Sequence, residues 1–147
     1  MLLQLENATL SYGSKPLFQN ANFSINEGDR IGLVGDNGCG KTSLFRCILG
    51  EETLNSGKRL VSRKVSKIGY VPQVLPSELK SQTLYDYLVS ALPVEERDYS
   101  LWKVDTVLSE LDIPEDLWSK HLAHLSGGWQ RFAMISHAYL QQHIWFL

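Results

Sequence analysis

The run Gly35-Asp36-Asn37-Gly38-Cys39-Gly40-Lys41-Thr42, followed by Ser43, constrains this 147-residue chain more than any other feature. It meets the pattern G-x-x-x-x-G-K-[ST] at every position. A short apolar run, Ile31-Gly32-Leu33-Val34, precedes it. Leu44, Ile48 and Leu49 then follow at helical spacing up to a stop at Gly50. The predicted order is a strand buried on both faces, a glycine-rich turn and a helix. Glycines let such a turn wrap tightly, so that successive backbone N–H groups converge on one anion. The helix N-terminus adds partial positive charge at the same point. In such a loop Lys41 neutralises the β- and γ-phosphates of a nucleotide, and the Thr42 hydroxyl ligates Mg²⁺. Cys39 reads as a small filler of the loop.

Composition excludes several classes. The chain has 14 Lys+Arg against 16 Asp+Glu, a net charge of −2, which gives no support to a nucleic-acid grip built on bulk positive charge. With 44% apolar and 20% charged residues it reads as globular rather than disordered. No apolar run approaches the roughly 18 residues of a membrane helix, so no membrane insertion is expected. Met1-Leu2-Leu3-Gln4-Leu5-Glu6 has no basic segment ahead of an apolar stretch. A cytoplasmic location is the default expectation. Cys39 and Cys47 are eight residues apart, about 12 Å of rise along one helix. A disulfide needs Cα atoms closer than about 7 Å, so both are expected as free thiols.

Elsewhere the pattern predicts strands over 3–12 and 21–25, with a turn at Asn26-Glu27-Gly28. A further turn is expected over 54–58, and a strand over 68–71 closed by Pro72. Three helices are expected: 83–92 with Thr83 as N-cap and Leu84, Tyr87, Leu88 and Leu92 inward; 100–111 with Ser100 as cap and Leu101, Val104, Leu108 and Leu111 on one face; and 127–142. Residues 144–147 look like the start of another buried strand.

Ser-Gly-Gly in Leu125-Ser126-Gly127-Gly128-Trp129-Gln130 is alone a common turn. Beside the loop at 35–42 it resembles the signature motif of the ATP-binding cassette (ABC) family. Tyr12, 23 residues before Gly35, matches that family's adenine-stacking aromatic. Gln73, in Tyr70-Val71-Pro72-Gln73, resembles the Q-loop glutamine that reaches Mg²⁺ and the attacking water. Glu27-Gly28-Asp29-Arg30 is similar to the turn before the phosphate-loop strand. The resemblance implies an α/β fold: a P-loop NTPase core with an antiparallel β subdomain and a helical subdomain, incomplete at the C-terminus. The parts would be a β and P-loop core over about 1–73, a helical subdomain over 74–124, and a signature helix with the start of the Walker B strand over 125–147. It further implies ATP held by Tyr12 and residues 35–43, with Lys41 and Gln73 catalytic and Thr42 and Gln73 on Mg²⁺. Ser126, Gly127, Gly128 and Gln130 would contact the nucleotide of a second, head-to-tail cassette.

Trp129 followed by Gln130 and Arg131 resembles the ABC-F branch, soluble tandem-cassette proteins that include ribosome-associated factors. The alternatives are the ATP-binding subunit of a transporter, partnered by a membrane permease, and a non-hydrolysing remnant. A different P-loop enzyme would leave 125–130 and Gln73 as coincidences. His121-x₂-His124 and His137-x₅-His143 lack nearby Cys or carboxylate ligands, so solvated or packed histidines are the better reading. Glu95-Glu96 reads as a charged loop, and Trp102 and Trp118 as core or subdomain packing. Open apolar surface is expected on 31–34 and 144–147, with poor solubility as its consequence.

In the resembled family a Walker B Asp, a catalytic Glu and a switch His follow the signature helix. No Asp or Glu follows Asp116 here. A general base is worth about 10²–10⁴-fold. The expected outcome for the purified chain with Mg-ATP is phosphate release at background, measured against an ordinary cassette.

Overall fold

The computed structural model describes residues 1–147 except 64, 66, 67, 142, 143 and 147; for 144–146 it describes the backbone alone. The expectations placed on His143 and Leu147 lie outside the described residues. The chain divides into two compact units, residues 1–66 and 67–147.

The first unit is built on an antiparallel sheet with β1 (Leu3–Tyr12) between β2 (Lys15–Ile25) and β3 (Ser56–Val61). The core face of β1 carries Leu3, Leu5, Ala8 and Leu10. The odd step from Leu5 to Ala8 explains why the sequence alternates only in part. Asn7 sits in the left-handed region (φ 47°), and the pairing of β1 with β2 shifts there. An inserted residue reverses the phase of the strand beyond it. Asn22 holds the bulge: its Oδ1 accepts from the Asn7 N–H at 2.9 Å, and its Nδ2 donates to Asn7 Oδ1 at 3.1 Å. Both neighbouring strands depart from expectation, since β2 is longer than predicted and no strand was predicted at β3. β2 begins at Lys15 rather than 21, and β3 takes up most of the turn expected over 54–58. The turn at 26–28 is present, closed by Asn26 N–H donating to Asp29 Oδ2 at 2.7 Å.

Helix α1 (Lys41–Leu49) starts and stops where expected. Gly50 ends it at φ 84°, its N–H returning to the Arg46 and Cys47 carbonyls. Cys47 and Ile48 are buried beneath it. Both cysteines are free thiols. Burial, and secondarily the Glu52 carboxylate, pushes the Cys47 thiol pKa above its ordinary value.

The expected strand over 31–34 is corrected by the structure. These residues form no strand, and Ile31 and Val34 are 63% and 94% exposed. An apolar run becomes a buried strand only when ladder neighbours take its N–H and C=O groups and cover its faces. Residues 31–34 pair with no described strand, and their apolar surface stands open as expected.

The second unit pairs β4 (Ile68–Tyr70) with β5 (Ile144–Phe146) in parallel. Its core lies among α2 (Leu84–Val89), α3 (Leu101–Glu110), α4 (Glu115–Trp118) and α5 (Gly127–Leu140). Leu88, Val104, Leu108, Leu122 and Ala133 are fully enclosed, each large apolar side chain contributing about 1.5–3 kcal/mol. Thr83 caps α2 as predicted, accepting from the Asp86 N–H at 3.1 Å and donating to its carboxylate at 2.7 Å. Three expectations are corrected. Helices α2 and α5 end at Val89 and Leu140, earlier than predicted. Ser100 precedes α3 without a side-chain cap bond, because its φ of −114° and ψ of 13° lie outside the extended cap geometry. Leu101, Trp102 and Leu111 lie on the open side of α3 rather than in the core. Trp118 does pack, stacking on Tyr85 with ring centroids 6.3 Å apart and donating to the Ile113 carbonyl at 3.0 Å. Glu96 is paired with Lys103 at 2.9 Å.

His137, on α5, lies flat on Tyr87 of α2, with centroids 4.3 Å apart and Nε2 3.3 Å from Ser90 Oγ. Burial lowers its pKa to about 4. In the unfolded chain the ring titrates near 6.5. Between these values the unfolded state binds the proton and the folded state does not. Stability is therefore full above about 6.5 and falls as pH drops toward 4. After allowance for partial solvent contact, the loss should reach about 2 kcal/mol. Urea unfolding at pH 7.5 and 4.5 should show this loss in the parent and a smaller one in His137→Phe.

Candidate functional site: the phosphate loop and the signature turn

In the first unit the glycine-rich loop crosses 35–40 and runs into α1. Gly40, the residue before the helix, has φ 97°, and α1 takes no side-chain cap there. An L side chain is strained at that φ. A Cβ on Gly40 would also lie 3.2 Å from Leu17 Cβ. Leu17, on β2, therefore lies close to the end of the loop, near the tip of the hairpin that carries Tyr12. Gly35 is close-packed too, since a Cβ there would meet Cys39 Sγ at 2.7 Å. Cys39 itself is exposed.

The Lys41 ammonium folds back over the loop. It donates to the Gly35 and Asp36 carbonyls, each at 2.6 Å, and lies 3.8 Å from Cys39 Sγ. The Cys39 N–H donates to the Asp36 carbonyl at 3.3 Å. The result is a tight ring of backbone around a fixed cation, with the α1 N-terminus beside it and no acidic residue in its first turn. Asn37, Gly38, Thr42 and Ser43 lie on this ring or the first turn. This concentration of positive potential suits an oxyanion. Tyr12, half-exposed, ends β1, and its hydroxyl donates to the Glu52 carboxylate.

In the second unit Ser126 precedes α5, its Oγ accepting from the Trp129 N–H at 3.4 Å. Gly127 and Gly128 open the helix with little around them. Gln130 was expected among the nucleotide contacts. Its side-chain amide donates instead to the Leu122 and Leu125 carbonyls, at 2.9 and 3.1 Å, which holds the signature turn in shape. Gln73 is exposed just after β4, and Arg131 donates to its carbonyl at 2.9 Å. Arg131, Glu52 and Leu17 were missed as site residues, because each acts across many positions of sequence and leaves no local pattern. His121 and His124 meet edge to face at 5.8 Å. Among the described residues no cluster of three or more His, Cys, Asp or Glu is set to hold a metal, and no helix is long and apolar enough to cross a membrane.

A glycine-rich loop closed on a lysine and leading straight into a helix, within an α/β chain, defines a P-loop nucleotide-binding protein. A model of the ABC transporter family matches residues 18–147. The chain belongs to that family, and it is an ATP-binding cassette domain.

It is 32% identical over 130 residues to the ribosome protection protein VmlR of Bacillus subtilis (strain 168), covering 86% of this chain and 22% of that protein. To the zinc import ATP-binding protein ZnuC of Ruegeria sp. (strain TM1040) it is 31% identical over 141 residues, covering 96% and 54%. Its fold overlays that of cbiO1 from Clostridium perfringens, part of the ABC transporter complex cbiONQ, with a TM-score of 0.75. That match has 26% identity and covers 97% of this chain and 62% of the other. The chain thus spans about half or less of the length of the two sequence relatives.

Gly40→Ala combines left-handed strain with the Leu17 contact, whereas Gly38→Ala (φ 80°) faces open space. We expect Gly40→Ala to cost about 1–3 kcal/mol and to melt below Gly38→Ala, as differential scanning fluorimetry would show.

Proposed function

We propose that this cassette binds Mg-ATP through residues 35–43 and that the whole protein of which such a cassette is part hydrolyses ATP. Lys41 and the amides of the loop and first turn receive the β- and γ-phosphates, and Tyr12 stacks on adenine. Thr42 would hold Mg²⁺, which would supply further charge neutralisation when bound; a hydroxyl oxygen is a hard donor of the kind Mg²⁺ takes. Within the whole, 1–73 form the nucleotide core, 74–124 the helical subdomain, and 125–147 the signature helix with the start of the next core strand.

Ser126, Gly127 and Gly128 face the γ-phosphate of ATP on a second cassette. The Ser126 oxygen accepts from its own helix, which leaves its O–H free to donate to that phosphate. ATP then joins two cassettes, and hydrolysis parts them. Phosphoryl transfer depends chiefly on positioning and charge neutralisation, which these elements provide. We assign the protein to the ABC-F type, working in the cytoplasm with a ribosome as partner. The support is Trp129-Gln130-Arg131 and the likeness to VmlR. The likeness to ZnuC, over a larger share of this chain, supports the second reading, a transporter's ATP-binding subunit acting with a membrane permease.

The observation that carries the proposal is the Lys41 ammonium held at the loop's mouth beside the uncapped start of α1. Charge-assisted hydrogen bonds of this kind are worth about 1.5–3 kcal/mol. Calorimetric titration of Mg-ATP should therefore saturate with the parent chain and weaken by about tenfold to a hundredfold in Lys41→Ala. Equal binding by the two, or no saturable binding by the folded parent, refutes the proposal.

A further inference from the structure

We propose that Glu52 is a positioning residue for the adenine subsite, holding the Tyr12 ring ready to stack; this rests on the reading of Tyr12 as the adenine-stacking residue. The Tyr12 hydroxyl donates to Glu52 Oε1, while the other carboxylate oxygen, Oε2, is buried without a hydrogen-bond partner. Tyr12 itself is 53% exposed, so the hydroxyl is anchored while ring surface stays open to solvent. Glu52 is delivered by the end of the phosphate-loop helix. The Glu51 and Glu52 N–H groups both donate to the Arg46 carbonyl, at 2.9 and 3.3 Å, just past the left-handed Gly50. The same segment is bound to the end of β1. The Asn55 N–H donates to the Thr9 carbonyl at 2.9 Å, and the Ser11 N–H donates to Asn55 Oδ1 at 2.6 Å. One rigid connection therefore runs from α1 through Glu52 to the aromatic ring.

A carboxylate with one oxygen buried and unpartnered is a poor stabilising element. A residue kept for stability alone would be better as an apolar side chain of the same length. A residue kept to fix a ring before binding lowers the entropy lost when the ligand arrives. The two roles predict opposite behaviour on replacement.

The test uses the full chain, with calorimetric titration of ATP and of inorganic tripolyphosphate, and a melting curve for each variant. Glu52→Met cannot accept the hydroxyl proton. It should melt no lower than the parent, bind ATP about three- to tenfold more weakly, and bind tripolyphosphate unchanged. Glu52→Gln, which keeps an acceptor, should restore most of the ATP affinity. Tyr12→Phe should weaken ATP as Glu52→Met does, and the double variant should be no weaker than either alone.

Unchanged or tighter ATP binding by Glu52→Met, equal weakening toward tripolyphosphate, or additive effects in the double variant would overturn the inference. Tyr12→Ala separates it from its premise. If that variant binds ATP as the parent does, the adenine reading falls and the inference with it. If it weakens ATP while Glu52→Met and Tyr12→Phe do not, only the inference falls.

Discussion

The structure depends most on a backbone constraint at the start of α1. A helix must begin with N–H groups that no preceding turn can satisfy. In this chain α2 and α5 meet this need with Thr83 and Ser126, whereas α1, α3 and α4 have no side-chain cap bond. Helix α1 begins instead at a left-handed glycine without a capping side chain. Its first turn is left to whatever anion the loop can gather, and the loop is shaped for that task by Lys41 bridging the Gly35 and Asp36 carbonyls. On the proposed reading, local stability is forgone at the point where the nucleotide binds. Leu17 of the hairpin leaves no room for a side chain at this glycine.

The second unit solves a different problem. Its signature turn has to present two glycines and a serine in one conformation with no lysine to close it. The work falls to neighbours: Gln130 clasps the carbonyls of residues 122 and 125, and Arg131 ties the start of α5 to the backbone of Gln73. Behind them the packed leucines of α2, α3 and the 122–124 turn keep α5 in place. The partly buried, neutral His137, stacked on Tyr87, adds an α2–α5 contact that acid weakens.

Whether a feature was legible in the sequence followed the range of the force behind it. The start and stop of α1, the Thr83 cap and the inward face of α2 are set within a turn or two of chain, and local pattern suffices for them. The chemistry of the loop at 35–42 is local in the same sense. The step from Leu5 to Ala8 was not legible, because the Asn7 bulge is held by Asn22, fifteen positions on. The run at 31–34 misled for a related reason. Its residues are apolar enough for a buried strand, but burial is a property of the neighbours a strand acquires. Arg131 and Gln73 are 58 positions apart, and Tyr12 and Glu52 are 40 apart; in both pairs only the folded chain shows that one residue holds the other.

The two helix starts also differ in the charge they bring, and this bears on their roles. The loop before α1 supplies amides, a helix terminus and a full cation, enough to hold a multiply charged phosphate chain from one side. The turn before α5 supplies amides, a hydroxyl and a helix terminus, and no Lys or Arg lies in its first turn. Hydrogen bonds from either set to a phosphate are charge-assisted, but only the loop adds a full positive charge to offset that of the anion. The signature turn is therefore suited to adding to an anion already held elsewhere, and poorly suited to capturing a free one. Donors without a full cation behind them also let go readily when the anion changes, as the proposed cycle of joining and parting cassettes would require.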